Sequence, residues 1–487
     1  LEVKKFIVLG SGTAGLISAA FIKKWFGPRV DVTVYYDGSR KTIGVGESTT
    51  PSIHQFINFL GVDPYSLIRE LNVTVKTGID FKDWIPGESF FHGFNQVNSN
   101  GIYEWSSACH SILNDCYNGG TLFNEPSSTL PDEHFQFGFA YHLDTKDFCR
   151  YIEDKIKDEV TFIDDVAEEV KSDGKNIQSI TFRDSGKVTA DYYIDASGFS
   201  AVLLKHLNPK WNDMKKWLPI DRAIPQQVPY EFDKVPSHTV AQATENGWIW
   251  KIPIGNRYGT GYLYSSQFTT DDEARSKYND WLVENFNTEL NTDRVIKYNP
   301  GYYEDYWIGN CIAIGLSSGF VEPLESTGIH IIIRQLHDFV YLNSNLKNLK
   351  YNTALANEKN KQLYVDIVNF VCLHYNTNRT DSKFWRYMTN NKKDWVSNFE
   401  EKCREDFIDT RSFRDNMDFS FWSLDSYIQV SNGLNMFRKE SIQEYLDNKF
   451  NKQQIVDFAI EQYNFIEQIR SEHQNISHKK FLDQIHK

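Results

Sequence analysis

At 487 residues the chain is too long for one ordinary core, so roughly two to four cooperating domains, or one large composite, are expected. Its 52 basic and 65 acidic residues give a net charge of −13, with no concentrated Lys/Arg block, which argues against nucleic acid as the main partner. Cys109, Cys116, Cys149, Cys311, Cys372 and Cys403 lie far apart without a CxxC pair, and read as reduced thiols of a cytoplasmic protein. The most apolar N-terminal stretch, FIVLGSGTAGLISAAFI, is broken by three glycines and fits neither a membrane span nor a signal peptide. Aromatic residues reach 15%, enough to line pockets as well as fill cores.

The chain opens with VKKFIVLG, a short apolar β-branched run, followed by Gly10-Ser11-Gly12-Thr13-Ala14-Gly15 and a small-residue helix, LISAAFIKKW. DVTVYYD then alternates like a second strand, completing a βαβ unit. In that setting the GxGxxG pattern has a physical meaning. Its glycines allow a tight turn, close approach to a pyrophosphate and close helix–strand packing, and the helix N-terminus faces the phosphates. The acid that would hold ribose hydroxyls is sought at Tyr36 and Asp37; an ordinary turn aspartate is the competing reading.

Further along, GKVTADYYIDASGFSAVL reads as a strand ending in Asp195-Ala196-Ser197-Gly198, a small-residue turn that lets backbone pass close to a cofactor. YWIGNCIAIGLSSGFVEPLESTGIH reads as another strand, Cys311 to Gly315, leading to a proline-marked helix start. Two such returns to one place suit FAD better than NAD, and resemble segments of the aromatic hydroxylase flavoproteins. Gly315-Leu316 stands where hydroxylases usually carry Gly-Asp.

A narrower resemblance comes with VEPLESTGI, which is similar to the signature of the flavin-dependent tryptophan halogenases. GWIWKIPIG matches that family's WxWxIP motif, GVGESTTPSI its flavin strap, and VKTGIDFKDW the segment of its catalytic lysine. AYHLDTKDF, LPIDRAIPQQVP and GTGYLYSS also resemble the family, which makes the likeness continuous to about residue 340; beyond it, FWSLDSYIQVSNG is the recognisable segment.

The resemblance implies an α/β fold of the FAD-binding, Rossmann-like type. Its parts are a discontinuous FAD domain (1–220 and 296–345), a β-rich substrate-side insert (221–295) and a mostly helical capping region (346–487). Residues implied for the flavin are Gly10, Gly12, Thr13, Ala14, Gly15, Asp37, Val45, Gly46, Glu47, Ser48, Asp195, Gly198 and Gly315. Reduced FAD, oxygen and halide would yield hypohalous acid. Lys76 would carry the oxidised halogen by hydrogen bonding or as a haloamine, Glu325 would stabilise the ring cation, and Ser326 would lie between lysine and flavin. Thr327 and Gly328 would offer backbone N–H groups to halide at a helix start.

Trp248 and Trp250 would keep substrate away from the flavin, against the plainer reading of alternate burial along a strand. His92 and Phe94 are implied beside the aromatic ring of the substrate, with Phe421 or Trp422 supplying a second stacking face. For Lys76 and Glu325 the plain readings are a solvated lysine and a favourable first-turn dipole contact. The amino-acid-binding pattern of tryptophan-specific members is not visible between residues 400 and 430, which points to another electron-rich aromatic substrate. With a single dinucleotide fingerprint, a separate flavin reductase is the expected source of reduced FAD. Oligomeric state is open, and a homodimer would be unremarkable. The rivals are an FAD-dependent aromatic hydroxylase and a non-catalytic FAD-binding protein.

Overall fold

A computed structural model describes residues 2–39, 47–71, 73–94, 139–229, 235–405 and 421–438, with scattered positions beyond. The chain divides into two compact units, the first formed by residues 1–67, 143–218 and 298–365, and the second by 68–142, 219–297 and 366–487.

In the first unit, strands Lys4–Leu9 and Val30–Tyr36 flank the helix Thr13–Phe26. Gly15, Ser18, Ala19 and Ala20 are buried on that helix, so the small residues seen in the sequence are what allow it to pack closely. The two strands belong to a six-stranded sheet ordered 307–308, 311–313, 192–195, 4–9, 30–36, 161–164. Neighbours pair in parallel except at Trp307–Ile308, the antiparallel edge. On one side, Ile7, Leu9, Tyr35 and Tyr193 share a core with Ile177, Ile180 and Phe182 of a three-stranded antiparallel sheet.

The second unit is built on a seven-stranded sheet. Its order is Ile296–Lys297, Arg222–Pro229, Arg257–Tyr264, Gly247–Ile254, His238–Thr244, Gly78–Lys82, Ser89–Gly93. All pairs are antiparallel except His238–Thr244 with Gly78–Lys82. Helix Asp271–Phe286, started by a capping box between Thr270 and Glu273, buries Ala274, Tyr278 and Leu282 against Ile224, Val228, Ile249 and Tyr262. Helix Leu424–Gly433 covers the edge strand Ser89–Gly93, where Gln429 Oε1 accepts the Gly93 N–H at 2.8 Å.

The unit boundaries differ from those drawn on the sequence. Residues 68–94 fall in the second unit because their strands extend the sheet of the 221–295 segment, and residues 346–365 fall in the first.

Candidate functional site

The glycine turn of the first unit is a cradle shaped by main chain. Gly10 has φ +116°, a region that side-chain-bearing residues rarely enter. A methyl group on Gly15 would lie 1.8 Å from the Gly10 carbonyl oxygen, so this position must stay bare for the helix to begin there. Gly12, the N-cap of helix Thr13–Phe26, has no side-chain capping bond, and a methyl group on it would meet nothing within 4 Å. An open surface beside first-turn N–H groups suits a pyrophosphate.

The three sequence segments expected around one cofactor are joined within this unit. Ala196 N–H donates to Leu9 O at 3.1 Å, and Ile314 N–H to Asp195 O at 2.9 Å. Gly315, at φ +69°, stands so close to the turn that a methyl group on it would come 3.0 Å from Ala14 Cβ. Gly198, at φ +71°, faces open space. These bare positions fit a long flat cofactor.

Asp195 has another occupation for its carboxylate. Oδ1 accepts the N–H and hydroxyl of Ser197, while Oδ2 accepts the N–H groups of Leu203 and Leu204 at 2.8 and 2.9 Å. Its contribution is to shape the turn, which leaves main chain as the face of that segment.

Asp37 accepts from the N–H and hydroxyl of Ser39, an Asx turn just past the second strand. Glu47 and Ser48 form a short strand, and burial pushes the Glu47 carboxyl up to about 7. Val45 and Gly46 lie outside the described residues, as do Cys109 and Cys116; the four described cysteines, Cys149, Cys311, Cys372 and Cys403, are buried and form no disulfide.

Glu325 sits in the turn before helix Gly328–Leu342, 1% exposed, so the reading of it as a surface dipole contact does not hold. Ser326 follows at φ +60°, its N–H donating to Pro323 O at 3.0 Å, and Thr327 is the N-cap without a side-chain capping bond. A serine in the left-handed region costs of order 1 kcal/mol, and such strain concentrates at functional sites. Gly328 is exposed at the helix start, and the first-turn N–H groups have no partner within the helix.

Buried Gln335 and half-buried His330, which the sequence did not single out, hold this region. Gln335 accepts the Gly315 N–H at 3.2 Å and donates to Ser318 and Asn360, fixing the third glycine segment from below. His330 shares a 2.8 Å hydrogen bond with Ser52, within the strap segment; burial, reinforced by Arg334, lowers its pKa to about 3. A polar residue inside the apolar run IHIIIRQL was the available signal for both.

The remaining candidates lie in the second unit. Lys76, on strand Thr74–Lys76, is 0% exposed, with Nζ 5.0 Å from the centroid of the Phe94 ring. The solvated-lysine reading therefore falls; lysines are almost never fully buried unless their charge is satisfied. His92 is buried beside Phe370 and Trp422, with ring centroids 5.6 and 6.0 Å away. Trp422 stacks on Phe370 at 4.2 Å and 21°, so one face of its indole is already covered. Phe421 meets Trp422 edge-on and donates its N–H to Asp366.

Trp248 and Trp250 are both buried and lie 6.5 Å apart on strand Gly247–Ile254. Trp250 is paired with Ala241 on one side and Gly261 on the other. A methyl group on Gly261 would lie 2.1 Å from Cη2 of Trp250. Trp250 Nε1 has no hydrogen-bond partner among the described residues, so shape alone seats this ring.

The family model for tryptophan halogenase matches residues 5–448. The chain belongs to the tryptophan halogenase family. A tryptophan 6-halogenase, SttH, of Streptomyces toxytricini is 33% identical over 426 residues, covering 78% of this chain and 80% of that protein. The tryptophan 7-halogenase RebH of Lentzea aerocolonigenes is 32% identical over 424 residues, covering 79% and 78% respectively. Among solved structures, Xcc4156, a flavin-dependent halogenase from Xanthomonas campestris, matches with a TM-score of 0.87 at 25% identity, over 100% of this chain and 99% of that one.

As a member of the tryptophan halogenase family, the chain is a flavin-dependent halogenase that uses FAD and takes halide as substrate, and the hydroxylase and non-catalytic readings fall. Among the described residues no helix is long and apolar enough to cross a membrane.

Proposed function

We propose that this halogenase acts on an indole- or phenol-like ring other than free tryptophan, with Lys76 and Glu325 as its catalytic residues. The carrying observation is the complete burial of Lys76. Enclosing an amine costs several kcal/mol unless its charge is satisfied, and that cost has a return where the amine handles a reactive halogen away from water. Reduced FAD, when bound, supplies the oxygen chemistry that converts halide to hypohalous acid. A separate flavin reductase provides the reduced cofactor.

In this reading Nζ of Lys76 holds the halogen of hypohalous acid by a hydrogen bond or as a haloamine. Phe94, against the amine, and the indoles of Trp248 and Trp250 keep water and misplaced rings out. As the carbon–halogen bond forms, the oxygen–halogen bond of hypohalous acid breaks and its oxygen leaves as water with a proton from the lysine ammonium, or the nitrogen–halogen bond of the haloamine breaks and returns the amine. Positive charge develops on the substrate ring. The Glu325 carboxylate stabilises that charge and accepts the ring proton, and its strained turn sets its direction. N–H groups of Thr327 and Gly328 hold halide at the helix start, where the helix dipole favours an anion. His92 packs beside the ring.

The substrate class is tested by mass spectrometry of indoles, phenols and pyrroles incubated with protein, FAD, a generic flavin reductase and NADH, in separate tubes of chloride, bromide or iodide. Halogenated phenols or substituted indoles with unmodified free tryptophan are the expected result. Efficient halogenation of free tryptophan alone would reverse the substrate reading. NADH oxidation by the purified chain without a reductase would reverse the two-protein reading.

A further inference from the structure

The motif AYHLDTKDF contains His142, to which the reaction above gives no role. His142 is fully buried on strand Ala140–Leu143, directly opposite Thr74 in an antiparallel pair, with Ala140 opposite Lys76. Residues two apart on a strand share a face, so Thr74, Lys76, Ala140 and His142 lie on one face of this short ladder. A three-residue strand has too few ladder bonds to fix its own register or tilt, and here the side chains take over.

Thr74 Oγ1 lies 2.6 Å from the carbonyl oxygen of Pro253, the proline of the WxWxIP motif, and 3.0 Å from Nδ1 of His142. A carbonyl can only accept, so the single hydroxyl proton of Thr74 goes to Pro253. Nδ1 of His142 must then carry a proton and donate it to Thr74. The opposite nitrogen, Nε2, lies 2.9 Å from Thr239 Oγ1 on strand His238–Thr244. Beyond Lys76, Thr77 donates its N–H and hydroxyl to Ser237 O at 2.7 and 2.9 Å. The lysine is thereby clamped on both sides along its own strand, and on the Thr74 side one imidazole fixes the direction of the clamping hydroxyl.

We propose that His142 is a positioning residue for Lys76: by donating Nδ1–H to Thr74 it directs the Thr74 hydroxyl onto Pro253 O, and so steadies the bond that ties the lysine's strand to the tryptophan-bearing strand Gly247–Ile254. The inference rests on the reading of Lys76 as the halogen carrier. Displacing a reacting group by about 1 Å can cost on the order of a hundredfold in rate, and this lock limits such displacement. Asparagine can place an amide N–H where Nδ1–H stood, whereas glutamine reaches only the Nε2 position, so the two amides separate the bond to Thr74 from the bond to Thr239.

The test uses the full chain with FAD, a flavin reductase, NADH, bromide, an aromatic substrate that the wild type halogenates, and a dissolved β-diketone that captures electrophilic halogen escaping into solution. His142→Ala should lower kcat for the aromatic by about tenfold or more with KM little changed. Halogenation of the diketone should rise, as is also expected of Lys76→Ala. His142→Asn should recover most of the loss and His142→Gln should not. Thr74→Val, which keeps the shape and removes the hydroxyl, should shift the same ratio even where His142→Ala fails to fold. An unchanged aromatic-to-diketone ratio in folded His142→Ala or Thr74→Val overturns the proposal, as does equal recovery by Asn and Gln. Full aromatic halogenation by Lys76→Ala would instead remove the reading of Lys76 itself.

Discussion

Glycines around the cofactor turn of the first unit and two glycines of the second unit of this halogenase serve opposite uses. In the first, Gly10 and Gly315 occupy left-handed or related backbone, and Gly15 lets one stretch of main chain touch another. In the second, Gly261 has an ordinary backbone conformation and Gly433 ends a helix; a methyl group on the one would strike Trp250, and on the other the ring of Phe90 at 2.2 Å. At these positions the cofactor turn omits side chains to bring backbone close to backbone, whereas Gly261 and Gly433 leave room for rings. The first unit should therefore be most sensitive to added atoms, and the second to altered side chains.

Lys76→Ala is the strongest way to challenge that division. Aromatic halogenation should fall by about a thousandfold while FAD affinity is unchanged, measured by product mass and by flavin titration. A parallel loss of FAD binding would mean that the second unit shapes the cradle after all. Gly15→Ala should act in the reverse sense. Its methyl group cannot coexist with the Gly10 carbonyl where it stands, and overpacking of about 1 to 3 kcal/mol translates into FAD binding weaker by roughly five- to a hundredfold.

Gly261→Ala sharpens the contrast. It should lower stability by about 1 to 3 kcal/mol in denaturant unfolding without weakening FAD binding. Combining it with Trp250→Leu, which removes the ring atoms in the way, should recover much of that loss. Simple additivity of the two changes would show that the glycine is not there for the indole.

The smallest effect concerns pH. The folded carboxyl of Glu47 is raised to about 7 from an ordinary 4.5, so the folded state keeps this proton where the unfolded chain has released it. Its contribution to stability is complete below about 4.5 and is lost as pH rises toward 7. Glu47→Gln should flatten that part of the stability profile of the flavin-free protein.

Legibility followed the range of the interactions. The βαβ unit was readable because strand, glycine turn and helix are contiguous, and its small residues have one packing consequence. The segment around Glu325 was readable through its family resemblance. The parallel pairing of Gly78–Lys82 with His238–Thr244 was not, since the partners lie more than 150 residues apart and neither carries a mark of the other. That missed pairing moved a unit boundary.

At single residues the sequence named the position more readily than its surroundings. Nothing about a serine announces φ +60° at position 326, and nothing about an aspartate after a strand tells that Asp195 turns its carboxylate inward to four donors of its own turn. The ring of Trp422 is evident from its sequence position, whereas its cover on one side by Phe370 is a property of the fold alone.

The enclosure of Lys76 also makes it a built-in reporter. An acylating reagent bulkier than the aromatic substrate is held off a 0% exposed Lys76 while the fold is closed. Modification at this position, followed by peptide mapping, would therefore time the opening of the second unit and count each breathing event as a covalent mark.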